Sequence, residues 1–154
     1  MTAICLFTRD LRVSDNPALA RAVEDADRVV PLFVVDDALV AAAPPSPNRC
    51  AYLVDALADL RRALQDRGGD LVLRRGDTVE EVSRLVASTG AVTVVTAEDV
   101  TPRARDREQR LAAASAGAGA ELVTTPGVTI VPPDDVATGS GTPYRVFTPY
   151  WRAW

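Results

Sequence analysis

The chain has 154 residues, 47% of them hydrophobic, and 21 acidic against 17 basic side chains give it a net charge of −4. That length suits one domain with a real core; no apolar run approaches the ~20 residues of a membrane span, and Met1-Thr2-Ala3-Ile4 lacks the basic stretch of a signal peptide, so a cytoplasmic protein without a membrane partner is expected. The acidic balance opposes direct DNA binding, the absence of histidine removes Ser-His-Asp catalysis and imidazole metal sites, and Cys5 and Cys50, with neither metal nor disulfide spacing, read as buried free thiols.

Ala3-Ile4-Cys5-Leu6-Phe7 is too short for a helix and too uniformly apolar for a half-exposed strand, which predicts a central parallel strand. A loop from Thr8 to Asn16 follows, with Asp15 placed to cap a helix from about Pro17 to Glu24. Val29 to Val35 forms a second buried strand, and Pro31 predicts an irregular entry to it. The Ala/Pro stretch Ala41–Pro45 is expected to be a mobile connection. Ser46-Pro47 then opens a helix on which Leu53, Leu57, Leu60 and Leu64 recur at helical spacing, until Gly68-Gly69 stops it. Asp70 to Leu73 predicts a third strand. Asp77 and Glu80 form a capping-box-like pair ahead of Val82, Leu85 and Val86, in a helix ending at Gly90. Val92 to Thr96 is β-branched throughout and reads as a strand; Thr101-Pro102 opens a charged helix to about Ala116, and Glu121 to Thr124 is the fifth strand.

This alternation predicts an α/β fold over residues 1–125: a doubly wound, Rossmann-like five-stranded parallel sheet with helices on both faces. Ligands of such sheets bind at the carboxyl ends of the strands, around the topological switch point. The segments there are Arg9-Asp10, Asp36-Asp37, Arg75-Gly76 and Glu98-Asp99. The paired acids suit hydrogen bonding to a heterocycle or a cation as well as they suit solvated loops and helix caps. Arg9, Asp10, Arg12 and Asp15 fit a loop-fixing ion-pair network better than a site. Thr8–Asn16 holds no glycine for a dinucleotide's pyrophosphate, and no P-loop occurs.

From Pro126 the pattern gives way to a Pro-Gly-Thr-Ser connection containing Pro132-Pro133 and Gly139-Ser140-Gly141. Thr148-Pro149 then has the form of an N-cap and first helical residue, about one turn before Trp154. Five of the eight aromatic residues, Tyr144, Phe147, Tyr150, Trp151 and Trp154, fall in the last eleven positions. Residues 126–154 are therefore expected to be an interdomain connection and the truncated start of a further domain, with an aromatic surface suited to a partner.

Arg9-Asp10-Leu11-Arg12-Val13-Ser14-Asp15-Asn16-Pro17-Ala18-Leu19 resembles the opening signature of the photolyase/cryptochrome family, and Tyr144-Arg145-Val146-Phe147-Thr148-Pro149-Tyr150-Trp151-Arg152-Ala153-Trp154 resembles the segment by which that family leaves its α/β domain. Asn48-Arg49-Cys50-Ala51-Tyr52-Leu53 and Arg103-Ala104-Arg105-Asp106 lie between them in the expected order, so the resemblance spans essentially the whole chain. It implies the N-terminal, light-harvesting domain of a deoxyribodipyrimidine photolyase or cryptochrome, a flavoprotein of light-driven DNA repair. FAD, the electron-transfer tryptophans and the DNA-lesion cavity would belong to a C-terminal helical FAD domain, the implied partner. The chain alone is then expected to be inactive, with no catalytic residue, no metal ligand and no direct DNA contact. Folate-type antennas in the family are marked by an Asn-Glu pair before the Arg-Ala-Arg-Asp segment, where this chain has Thr101-Pro102. The order Phe33, Asp36, Arg49, Cys50, Asp99 resembles members that take 8-hydroxy-5-deazaflavin, and these five are the candidate cofactor-binding residues; FMN and methenyltetrahydrofolate are the alternatives. The rival from another class is a free-standing nucleotide or flavin binder of the same architecture; a regulatory remnant that binds nothing is a third possibility.

Overall fold

Each apolar run is separated from the next by a segment long enough for a crossover, and such crossovers favour parallel pairing. The computed structural model describes residues 1–42, 46–127, 129–131 and 135–154, with only the backbone of Leu39 and Ala42. Its strands are β1 (Thr2–Phe7), β2 (Arg28–Asp36), β3 (Val72–Gly76), β4 (Thr93–Ala97) and β5 (Glu121–Thr125), and its helices α1 (Pro17–Asp25), α2 (Asp37–Ala42), α3 (Pro47–Gln65), α4 (Thr78–Thr89), α5 (Pro102–Gly117) and α6 (Phe147–Ala153). All strand pairs are parallel, in the order β3-β2-β1-β4-β5. The sheet is doubly wound as the alternation predicts.

The central strand is apolar at every position because both its faces are covered. Ile4 and Leu6 point into a core built with Val82, Leu85 and Val86 of α4 and Leu111 of α5. Ala3, Cys5 and Phe7 point into the opposite core, with Ala18 and Ala22 of α1 and Leu57, Leu60 and Leu64 of α3. Full burial of each large aliphatic side chain contributes about 1.5–3 kcal/mol, so these two layers hold the sheet rigid beneath whatever stands at its edge.

Several local features differ from the sequence expectation. Asn16, not Asp15, caps α1: its Oδ1 accepts from the Leu19 backbone N–H at 2.9 Å, while Asp15 adopts a positive φ of 51° just ahead of it. β2 runs straight through Pro31, which pairs with Cys5 but precedes the first β2–β3 pair, Leu32 with Val72. At Pro31 the strand has only β1 as neighbour, so the missing N–H leaves no gap in a second ladder. β3 starts later than expected and includes Arg74 and Arg75, because an edge strand needs no continuous apolar run. α2 is an additional short helix that includes Ala41 and Ala42; the remainder of the expected mobile stretch, residues 43–45, lies outside the described residues, as do Pro132 and Pro133. α6 begins at Phe147, with Val146 rather than Thr148 at its N-cap. Asp77 caps α4, but Glu80 does not complete the box, since its carboxylate pairs with Arg84 at 3.0 Å. Among the described residues, no helix is long and apolar enough to cross a membrane.

Candidate functional site

The strand order puts the switch point between β1 and β4, whose following helices, α1 and α5, pack on opposite faces. Arg9, just after β1, and Asp99, just after β4, meet across it: Arg9 Nε lies 2.6 Å from Asp99 Oδ2. Asp99 is only 5% exposed, and its other oxygen accepts from the Thr101 backbone N–H at 3.0 Å while its own N–H donates to Glu108 Oε1 at 3.2 Å. The neighbouring Glu98 accepts from Thr124 Oγ1 at 3.2 Å. Overhead, the chain leaving β5 comes so close that a Cβ at Gly127 would stand 2.5 Å from Ala97 Cβ, which only glycine accommodates without a shift.

On the β1 side, Arg12 pairs with Asp10 at 2.9 Å and Asp15 at 3.6 Å, and Asn16 Nδ2 donates to the Asp10 and Arg12 carbonyls at 3.3 and 2.9 Å. The expected loop-fixing network thus joins Asp10, Arg12 and Asp15, while Arg9 crosses to Asp99. Burial pushes the Asp10 and Glu108 carboxyls above their usual range, outweighing the arginine beside each. Arg9 and Asp99 are paired internally at the switch point, while Asp10 Oδ2 is buried without a hydrogen-bond partner among the described residues.

Farther along the edge, Asp36 ends β2 opposite Gly76, whose φ of 142° suits glycine alone. Asp36 Oδ1 accepts from the Ala38 N–H at 2.9 Å and Oδ2 from Thr78 Oγ1 at 2.8 Å. Asp77 accepts from the Val79 and Glu80 N–H groups and, through its other oxygen, from Arg110 at 2.9 Å. Burial raises its carboxyl, yet the Arg110 bond and the helix N–H groups outweigh this and hold it below the ordinary range. Between the first turn of α4 and the facing side of α5 lies a polar cleft of about 180 Å³, bordered by Asp36, Thr78, Arg103, Asp106 and Arg107. A smaller cavity of about 50 Å³ adjoins it beside Phe33, Phe7 and Thr8, and Thr78 and Arg107 border both. Arg107 Nε is buried there without a hydrogen-bond partner among the described residues. An orphaned buried donor is rare enough to demand a reason.

Of the five sequence candidates, Phe33 and Asp36 therefore border adjoining cavities, and Asp99 is paired at the switch point. Arg49 and Cys50 stand exposed in the first turn of α3 and border neither cavity. The exposure of Cys50 corrects the buried-thiol expectation; a helix-start position on the outer side of α3 does not enter the core. Cys5 is buried as expected, and burial pushes its thiol up to about 12. Arg75, expected in a loop after β3, lies within the strand and pairs with Asp37 at 2.8 Å. Thr78, Arg103 and Arg107 were not among the sequence-predicted site residues, although Arg103 opens the Arg-Ala-Arg-Asp segment and Arg103, Arg107 and Arg110 recur at the spacing of one helix face. Among the described residues, no group of three or more Cys, Asp or Glu side chains is placed to hold a metal ion.

The family described as DNA photolyase matches residues 3–154. The chain is 47% identical, over 99% of its length, to a deoxyribodipyrimidine photo-lyase of Streptomyces griseus, of which it covers 34%. It is 36% identical over 98% of its length to a cryptochrome DASH of Natronomonas pharaonis, covering 33% of that protein. Among solved structures, a bacterial class III photolyase from Agrobacterium tumefaciens superposes with a TM-score of 0.89 at 35% identity, covering 99% of this chain and 31% of the other. An archaeal photolyase from Sulfolobus tokodaii, described with two FAD molecules and a novel light-harvesting cofactor, gives 0.82 at 25% identity over 99% of this chain and 34% of its own. The chain thus spans about a third of the length of the relatives it matches.

Proposed function

The chain belongs to the DNA photolyase and cryptochrome family, and from that premise we propose that it is the light-harvesting domain of a light-driven flavoprotein of DNA repair, binding an antenna chromophore at the carboxyl edge of its sheet. The observation that carries this is the pair of adjoining cavities, the smaller beside Phe33, both bordered by Arg107, whose buried Nε has no hydrogen-bond partner among the described residues. Each is smaller than the ~300 Å³ at which pockets for whole organic ligands begin, so one ligand would use both and displace side chains at their shared border. A flavin-type tricycle, 8-hydroxy-5-deazaflavin or FMN, suits the edge better than methenyltetrahydrofolate, since Thr101-Pro102 stands where folate-binding members carry Asn-Glu.

Within that assignment, Phe33 packs against the ring and Asp36 accepts a polar hydrogen from it. Asp99, already held by Arg9, fixes the wall; Arg49 reaches a deprotonated ring hydroxyl only if the start of α3 moves inward. A bound chromophore would absorb light and pass its excitation to a second flavin. That flavin, the lesion site and all bond-breaking chemistry are assigned to a helical region beyond this domain. The face of α6 that exposes Phe147 and Trp151, 74% and 60% accessible, is the surface that region would cover.

Separate fluorescence titrations of the purified chain with 8-hydroxy-5-deazaflavin, FMN and methenyltetrahydrofolate test the assignment. A tricycle should bind tightest, with at least fivefold weaker affinity in Asp36→Asn. Tightest binding of the folate, or binding of none of the three, overturns it.

A further inference from the structure

The loop entering α1 and the outer side of that helix form an open groove of about 520 Å³, which shares no lining residue with the cavities of the carboxyl edge. Its wall is apolar: Val13 and Leu19 turn only part of their surface to the core, and Val23 is 60% exposed. Two carboxylates border it, Asp15 ahead of the helix and Glu24 in its last turn. The neighbouring guanidinium groups belong to other acids, since Arg12 bonds Asp10 at 2.9 Å, standing 3.6 Å from Asp15, and Arg21 bonds Asp25 at 2.6 Å. The groove therefore keeps an acidic rim. A second uncovered surface lies on α6 and its C-cap, where Phe147, Trp151 and Trp154 follow at i, i+4 and i+7, the spacing of one helix face, 74%, 60% and 54% exposed. From Val136 to Trp154 the chain holds Arg145 and Arg152 and no acidic side chain.

The two surfaces complement each other in length and charge. Asp15 and Glu24 are about 13 Å apart along α1, and Arg145 and Arg152, joined by extended backbone and the first turns of α6, are about 14 Å apart. An aromatic stripe with anchors at i, i+4 and i+7 and basic flanks suits an apolar groove with acidic ends. We infer that α6 of one copy of this chain docks in the α1 groove of a second copy, and reciprocally, closing a two-fold dimer. A second copy is the occupant because α6 leaves the groove of its own chain open, the stripe and Val23 being exposed together. One such contact covers roughly 700 Å² counting both sides, too little for a stable complex, whereas the reciprocal pair covers roughly 1,500 Å², within the standard range. The dimer goes beyond the chromophore reading: it leaves the carboxyl-edge cavities free, and the helical region proposed above would compete for α6.

Both tryptophans of the chain lie in the stripe, so tryptophan emission reads its burial while sedimentation velocity reads the assembly. At about 50 μM wild type should be a dimer whose emission moves to the blue as concentration rises. Val23→Glu, at an exposed position where substitution costs the fold little, should be a monomer with red emission at every concentration. Asp15→Asn/Glu24→Arg, in which asparagine tolerates the positive φ of residue 15, and Arg145→Glu/Arg152→Glu should each dimerise about tenfold more weakly. An equimolar mixture of those two proteins should dimerise more tightly than either alone, because each groove then meets a helix of opposite charge; nonspecific sticking of exposed aromatics shows no such recovery. A wild type that stays monomeric with red emission, dimers unaffected by Val23→Glu, or a mixture no tighter than its components overturns the inference. A monomer with blue emission at every concentration assigns the stripe to the chain's own groove and overturns it equally. Failure of the dimer leaves the chromophore titrations at the carboxyl edge standing, and failure of those titrations leaves the dimer standing.

Discussion

The two halves of the sheet's carboxyl edge are built from the same residue types and end in opposite states. At the switch point between β1 and β4, Arg9, Asp99 and Glu98 all have protein partners, and Gly127 brings the chain over the top. Beside β2, the first turn of α4 and the N-terminal half of α5 leave a cleft bordered by Arg103 and Arg107, for which no hydrogen bond or ion pair is formed among the described residues. Topology selects the edge on which a doubly wound sheet binds ligands; side-chain pairing decides which stretch of that edge is open. Groups that satisfy one another stabilise the fold, and groups left over are the ones available for binding.

The comparison breaks most readily at Asp99. Asp99→Ala removes the partner of Arg9 and the acceptor for the Thr101 N–H at the start of α5, whose own Thr101 side chain makes no cap bond. The expected loss is about 2 kcal/mol of unfolding free energy. Arg103→Gln at the open cleft should change stability by less than about 0.5 kcal/mol. Urea unfolding of both variants checks the contrast, and similar losses would show that the two halves do not divide into structural and binding groups. Next in size is Thr78→Val, which keeps the shape of a buried side chain but deprives Asp36 Oδ2 of its hydroxyl donor. A loss of about 1 kcal/mol, seen as a melting temperature lower by about 3 °C, is expected.

The sheet and its windings were legible because they depend on local periodicity: Ala3–Phe7 is apolar throughout and Leu53, Leu57, Leu60 and Leu64 recur on one helix face, whatever surrounds them. Errors gathered where a neighbour decides. The start of β3 depends on its being an edge strand, and the role of Pro31 depends on where β3 begins to pair. Phe33 and Asp36 could be placed at the edge from strand ends alone. The distinction between Asp99, engaged by Arg9 ninety residues earlier, and Arg107, whose buried Nε has no hydrogen-bond partner among the described residues, is a property of tertiary pairing that no spacing encodes. The arginine face of α5 carried a usable signal in its helical repeat, but a charged helix face is ordinarily solvated and does not announce a cleft.

Acid titration sharpens the contrast between the halves, beginning with Asp77. Its carboxyl is held below the ordinary 3.8, so its contribution is fully present above about pH 4 and is lost as pH falls through the depressed folded value. Asp77→Asn keeps a good helix cap while removing the titrating group and its Arg110 pair. The variant should melt below wild type at pH 7, by no more than about 1 kcal/mol for so exposed a pair. The gap should close below pH 4; a gap that is constant with pH would assign the loss to the cap instead.

Glu108, beside the switch point, should behave with the opposite sign. Burial, ahead of the opposing bond from the Asp99 N–H and the attraction of Arg107, raises its carboxyl above the ordinary 4.5. Between the unfolded value and the raised folded one, the native state holds the proton more tightly than the unfolded chain does. Stability therefore falls as pH rises through that window, and the full cost is present above it. Gln in place of Glu108 retains an oxygen to accept from the Asp99 N–H and carries no charge to desolvate. At pH 7, Glu108→Gln should match or exceed wild-type stability by up to about 0.5 kcal/mol, and the advantage should vanish as the pH is taken below 4.5, where wild-type Glu108 is itself protonated. Denaturant unfolding at pH 7 and pH 4 measures both ends of the window. A variant less stable than wild type at pH 7 would show that the negative charge stabilises this corner, through Arg107, and that the switch point relies on the carboxylate its burial disfavours.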